Sequence, residues 1–350
     1  MTFFVHSIAI WLEFVSLATC TGILVCRLLV FPPAAAESPE KGNSFTSGWR
    51  LFGIALAVIF AASAADLLMR TASMSGRPIS AAFPVISTVL SRTHYGHVWI
   101  VRIASVLLLT SYLGVGPKRR DSRISLVFAL TLMTFIAATR SASGHASDAG
   151  DFSIAEIMDW LHIVAAAVWG GGLFVLSVVI LPEIVSRKDL PAPLLASVAG
   201  RFSRLAGAAV GILALTALYN ALIHVGSLKG LWLTAYGVTL IIKIVLFFIL
   251  VNLGAFNRYV SVPVLQQLGG IDPGKRGITG RIALRFMPRL QIPRDARHAA
   301  LRFMRSVRAE AILVLMVLFF AAILVQQVPA RHALHAMSGQ SHSHSMGNSR

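Results

Sequence analysis

Asp159-Trp160-Leu161-His162-Ile163-Val164-Ala165-Ala166-Ala167-Val168-Trp169-Gly170-Gly171-Gly172 lies inside an apolar run that extends from residue 155 to residue 181. The run exceeds the roughly 20 residues a helix needs to cross a ~30 Å hydrocarbon core, and beyond His162 it carries no ionisable side chain. Seven more runs of this kind read at about 4–30, 51–69, 98–116, 124–139, 205–224, 231–256 and 310–328. The fold class expected is therefore all-α, a polytopic membrane protein with eight transmembrane helices. Composition agrees: 56% of the residues are hydrophobic, 13% are charged and the mean hydropathy is +0.75, which excludes an ordinary soluble domain and a disordered chain.

The net charge of +17 invites a nucleic-acid reading until the cations are placed. They fall between the runs, and the positive-inside rule uses them to orient the chain. Arg50, Lys118, Arg119, Arg120, Arg123, Arg187, Lys188, Arg201 and Arg204 follow odd-numbered spans, and so do eleven cations from Arg258 to Arg308. Arg70, Arg77, Arg92, Arg140 and Lys229 lie on the other side. Both termini are thus expected to be periplasmic. The segment from 257 to 309 reads as a basic cytoplasmic loop, and its repeated Ala-Leu-Arg-Phe-Met (283–287 and 300–304) suggests an amphipathic helix on anionic lipid rather than nucleic acid.

The first span has a cleavage-like Ala34 to Ala36 but no basic region before it, so it is read as a retained helix. Cys20 and Cys26, six apart on that helix, lie on different faces and are expected to be unpaired, either facing lipid or packed as small side chains.

Two halves resemble each other. Trp11-Leu12-Glu13 opens an apolar run ending at Phe31-Pro32, and Trp160-Leu161-His162 opens one ending at Leu181-Pro182. Thr93-His94-Tyr95-Gly96 with Arg102 matches Thr234-Ala235-Tyr236-Gly237 with Lys243, the cation seven residues after the Tyr in both. Four spans repeating as four spans have one topology, so a 4+4 parallel internal repeat about an axis along the membrane normal is expected. The organisation expected is an N-terminal half over 1–152, a C-terminal half over 153–329 and a His-rich periplasmic tail over 330–350.

Ionisable residues within spans are functional candidates, or pair with one another. They are Glu13, Asp66, Arg102, Asp159, His162 and Lys243, with Glu13–Lys243 and Asp66–Arg102 the structural pairs to expect. The histidines are more pointed. His6, His94, His97, His145, His162, His224, His332, His335, His342 and His344 all fall on the outer side, and only His298 falls inside. Met69, Met74, Met158, Met337 and Met346 share that side. Imidazole with thioether points to copper before zinc. No G-x-x-x-x-G-K-[ST] loop, H-E-x-x-H or G-x-S-x-G motif occurs, so neither ATP-driven pumping nor hydrolysis has a candidate and no enzyme is expected.

The motifs also resemble a known family. Ser73-Met74-Ser75-Gly76 with Tyr95-Gly96-His97-Val98-Trp99, Gly144-His145-Ala146, Asp159-Trp160-Leu161-His162 leading to Trp169-Gly170-Gly171-Gly172, and Leu218-Tyr219-Asn220-Ala221-Leu222-Ile223-His224-Val225-Gly226 are similar to those of the bacterial copper resistance protein D (CopD) family. The resemblance implies an inner-membrane protein of eight helices that moves copper from periplasm to cytoplasm beside a periplasmic copper-binding partner of the CopC kind. The long basic loop and the His-rich tail depart from the family's pattern.

These readings place copper on His94, His97, His145 and Met74 at the outer face and on His332, His335, His342 and His344 of the tail. From there it would pass to an intramembrane site around Glu13, Asp159, His162 and His224, with His162 the central ligand and His6 a further candidate ligand on the outer side. Rival readings are a haem b electron carrier using paired histidines and a copper receptor or docking scaffold that does not conduct.

Overall fold

The computed structural model describes residues 2–32, 46–144, 150–225, 228–272 and 295–331. Eight helices in it are long and apolar enough to span a membrane: α1 (Phe3–Val30), α2 (Thr46–Ser75), α3 (His94–Leu113), α4 (Arg123–Ala142), α5 (Ile154–Ser186), α6 (Ala192–Ile223), α7 (Ala235–Leu268) and α8 (Ala296–Gln326). No strand occurs among the described residues.

Helix α6 begins, α7 ends and α8 begins more than ten residues beyond the runs read from hydropathy. Hydropathy reports the part that lies in lipid, whereas a helix satisfies its own backbone and continues past it, and Arg and Gln are good helix formers. The basic loop is shortened accordingly, because residues 296–309 belong to α8. Asp295 caps that helix by accepting from the backbone N–H groups of Arg297 and His298. The His298 imidazole, donating at 2.7 Å, with those amides holds Asp295 below the usual carboxylate range. In the 300–304 copy of the repeated pentapeptide, Ala300 and Phe303 are buried in the protein core, so its apolar side packs on the bundle instead of on lipid. The 283–287 copy lies outside the described residues.

Helices α1 and α5 form the centre: 72% and 67% of their most apolar stretches are buried, against 17% for α6 and 11% for α7. They cross with their backbones in contact. A Cβ on Gly22 would stand 2.2 Å from the Gly171 carbonyl carbon, and one on Gly171 would stand 1.7 Å from the Ala18 oxygen. Small residues permit such an approach, which replaces the hydrophobic drive that lipid removes. Cys20 and Cys26 are fully buried in this core and unpaired, so the lipid-facing alternative does not hold.

Local devices recur in the two halves. Thr93 and Thr234, both extended, each accept a hydrogen bond at 3.0 Å from the Gly three residues on, at the starts of α3 and α7. Gly96 and Gly237 then press against the carbonyls of Val89 and Gly230, where a Cβ would come within 2.2 Å. Trp11 Nε1 donates to Leu315 O on α8, and Trp160 Nε1 to Thr134 O on α4, each at 3.0 Å. Wide π-turns at Cys26–Val30, Leu176–Ile180 and Asn257–Ser261 each precede a proline, Pro32, Pro182 or Pro263. Proline lacks the N–H that would close a regular turn and crowds the carbonyl four residues back, so a widened turn relieves both faults.

Candidate functional site

Two groups of polar side chains lie within the bundle, one in each half. The first gathers at α1–α4. Asp66 and Arg102 are wholly buried, Glu13 is 2% exposed and Arg140 4%. Arg102 Nη1 lies 3.2 Å from Glu13 Oε1, and Arg140 Nη1 lies 3.5 Å from Glu13 Oε2 and 3.4 Å from Asp66 Oδ2. Asp66 also accepts from His6 Nε2 at 2.7 Å, Arg70 Nε at 3.3 Å and the Tyr95 hydroxyl at 2.9 Å. Arg102 also donates from Nε to Thr139 Oγ1 and from Nη2 to Thr139 O and Ser143 Oγ.

These contacts correct the expected pairs. Glu13 bonds Arg102 and Arg140 instead of Lys243, and Asp66 bonds Arg140, Arg70 and His6 instead of Arg102. Arg140, read as an outer-loop cation because the apolar run appeared to stop at 139, is a buried member of the network. Its place was legible after all: Met133, Ile136, Ala137 and Arg140 fall on one helical face, and all four are buried. Two carboxylates thus face three guanidiniums, and both oxygens of Glu13 are within ion-pair reach of a cation.

The second group lies between α5, α6 and α7. His162 Nδ1 is 2.9 Å from Thr216 Oγ1, and Thr216 Oγ1 is 2.8 Å from Ile212 O. Thr216 has one hydroxyl proton: given to the Ile212 carbonyl, it lets Thr216 accept from His162 Nδ1–H, and given to Nδ1, it puts the ring proton on Nε2. The first arrangement leaves Nε2 with its lone pair, and a metal at Nε2 would select it. Among the described residues Nε2 has no hydrogen-bond partner. Asp159 lies one turn earlier on α5, coupled electrostatically to Tyr236 and Lys243 of α7, and Lys243 is coupled in turn to His162. These side chains are half-buried, unlike the sealed network at α1–α4. Thr216 was missed by sequence reasoning, since a lone threonine in an apolar helix carries no signal.

Other expected ligands sit apart from this pair. His6, with a side chain 18% exposed, gives its Nε2–H to Asp66 and so leaves Nδ1 open at the mouth of the first group. His94 Nε2 lies 3.3 Å from Ala142 O and 3.7 Å from Asp151 Oδ1, and His97 Nε2 3.3 Å from Ser91 O, both on the exposed start of α3. Met74 is 59% exposed near the end of α2. The side chain of His224 and the residues His145, His332, His335, His342 and His344 lie outside the described residues, as does most of the tail. Among the described residues no three His, Cys, Asp or Glu side chains converge as a metal cluster.

Comparison with known proteins bears on what the groups are for. The family model for copper resistance protein D matches residues 196–324, and that for the copper resistance protein D-like N-terminal domain matches residues 1–154. The copper transport protein CutJ of Bacillus subtilis is 30% identical over 202 residues, covering 55% of this chain and 36% of the relative. Copper resistance protein D of Pseudomonas syringae pv. tomato is 26% identical over 224 residues, 63% of this chain and 70% of that one. Inner membrane protein YebZ of Escherichia coli is 30% identical over 190 residues, 53% of this chain and 61% of that one. The chain thus spans about a third of the length of CutJ. No solved structure matches it.

Proposed function

The chain belongs to the copper resistance protein D family, the two family models together taking in residues 1–154 and 196–324, and from that premise we propose that it carries copper across the inner membrane from periplasm to cytoplasm, with His162 as the ligand at which the ion enters the bundle. The observation that carries this reading is the orientation of one imidazole: His162 Nδ1 lies 2.9 Å from Thr216 Oγ1, so Nε2 is the nitrogen that would meet a metal while Nδ1–H donates to Thr216. An outer group that orients the ring through its other nitrogen is the usual support of a metal-binding histidine.

Asp159, one turn away, supplies the carboxylate. Lys243 is its electrostatic partner, and a copper ion arriving between His162 and Asp159 would take over the ammonium's role of balancing that charge. Glu13 is held by two guanidiniums and takes a positioning role. At the periplasmic face, His6, His94, His97 and Met74, with His145, His224 and the tail histidines, would collect copper from a CopC-like periplasmic binding protein. Deeper in the core the soft donor atoms are those of Cys20, Cys26 and Met133. The basic residues between α7 and α8 would rest on anionic lipid at the cytoplasmic face.

Copper uptake into proteoliposomes tests the proposal. His162→Ala is expected to abolish uptake, and Thr216→Val, which removes the acceptor but keeps the shape, to weaken copper affinity by about 10–100-fold. Uptake unchanged in His162→Ala would refute the assignment.

A further inference from the structure

A third polar group is buried at the far end of α7 from Lys243, about 21 Å away at 1.5 Å of rise per residue. Glu310 of α8 is 2% exposed and lies where the apolar part of that helix begins. Its Oε1 accepts from Asn257 Nδ2. Asn257 Nδ2 also bonds Ser306 Oγ at 2.9 Å, and Ser261 Oγ donates to Asn257 Oδ1 at 2.9 Å. The π-turn Asn257–Ser261 belongs to this group through both of its end residues. Gly254, one turn earlier, leaves room beside the carboxyl, since a Cβ there would stand 3.5 Å from Glu310 Oε2.

Among the described residues no Lys, Arg or His comes within ion-pair distance of Glu310. Several charged groups on the packed elements are engaged elsewhere. Arg258 donates to Ser203 O, Glu183 pairs with Arg187, Glu13 is held by Arg102 and Arg140, and Lys243 is coupled to Asp159 and His162. On α8 itself Arg297 reaches the carbonyls of Val185, Arg187 and Lys188, His298 pairs with Asp295, and Arg305 and Arg308 are exposed.

An ionised carboxylate in a low-dielectric site without a counter-ion costs several kcal/mol, so it is neutralised by a proton or by a cation. The donor set decides between them. The Asn257 carboxamide oxygen is occupied by Ser261, and its N–H group faces the carboxyl, whereas a bound hard cation would need several oxygens turned toward it. We propose that Glu310 is a proton-exchanging carboxyl at the inner end of the copper path. It holds its proton while no ion is near and releases it to the inner aqueous phase as the ion's positive charge arrives. One proton leaves as one positive charge enters, and no electron moves. The coupling rests on the copper-transport reading; the proton binding does not.

Infrared difference spectra of the full chain in nanodiscs, taken between acid and alkaline pH without copper, test the binding alone. The expected result is a protonated-carboxyl C=O band that titrates in the wild type, is absent in Glu310→Gln and persists in Glu183→Gln. Asn257→Leu, which keeps the carboxyl but removes its donor, should move the band to higher frequency. A band that survives Glu310→Gln, fails to titrate or responds to sodium instead of pH overturns the proposal. Proteoliposome uptake then tests the coupling: a pH gradient should stimulate copper entry in the wild type and not in Glu310→Gln. Absence of uptake in both with an intact titrating band would count against the transport reading and leave Glu310 standing.

Discussion

At the residue scale the side chain that organises the N-terminal half is Arg140. Among the described residues it is the cation that bridges Glu13 and Asp66, each of which is buried and acceptor-only. Removing one member of such a group leaves uncompensated charge in a low-dielectric interior. Arg140→Leu should therefore lower stability by about 3–5 kcal/mol, and Arg140→Lys, which keeps the charge but not the planar fork, should recover part of it. Thermal unfolding in detergent reads both. Hydropathy hid Arg140 because it ends an apolar run, where a cation looks like loop. It likewise gave no hint that Glu13 and Asp66 share that cation across helices remote in sequence. His162 was legible because an imidazole amid Ile163, Val164 and Ala165 needs a partner. That the partner is Thr216, and that Nε2 is consequently the open nitrogen, depends on a helix-to-helix contact that no spacing encodes.

At the element scale the crossing of α1 and α5 sets the geometry of both groups, since it carries Glu13 on one helix and His162 on the other. Gly22 and Gly171 allow that crossing by letting backbone meet backbone. Gly171→Leu would drive a side chain into the Ala18 carbonyl, and a penalty at or beyond the upper end of the about 1–3 kcal/mol of ordinary overpacking is expected. Gly211→Leu on α6 makes the control, because nothing lies within 4 Å of a Cβ there. Thermal unfolding and monodispersity should separate the two, and equal behaviour would show that the crossing tolerates separation. The eight spans were readable from apolar length alone, since a bilayer imposes that length. The helical extension of α6, α7 and α8 past the membrane was not, because no lipid boundary marks where such a helix stops.

At the scale of the whole molecule, similar local devices serve two different interiors. The α1–α4 half closes its polar residues into a sealed network, whereas the α5–α8 half leaves His162, Asp159 and Lys243 half-buried between helices that bury little of themselves. Rigid compensation on one side and an open donor atom on the other suit a carrier whose ion passes through the second half. The central claim is that copper binds at His162 Nε2. It is tested most directly by copper retained per chain after gel filtration, in protein whose tail residues His332, His335, His342 and His344 are all alanine. Copper should remain bound to that variant and be lost when His162→Ala is added; retention unchanged by His162→Ala would contradict the account.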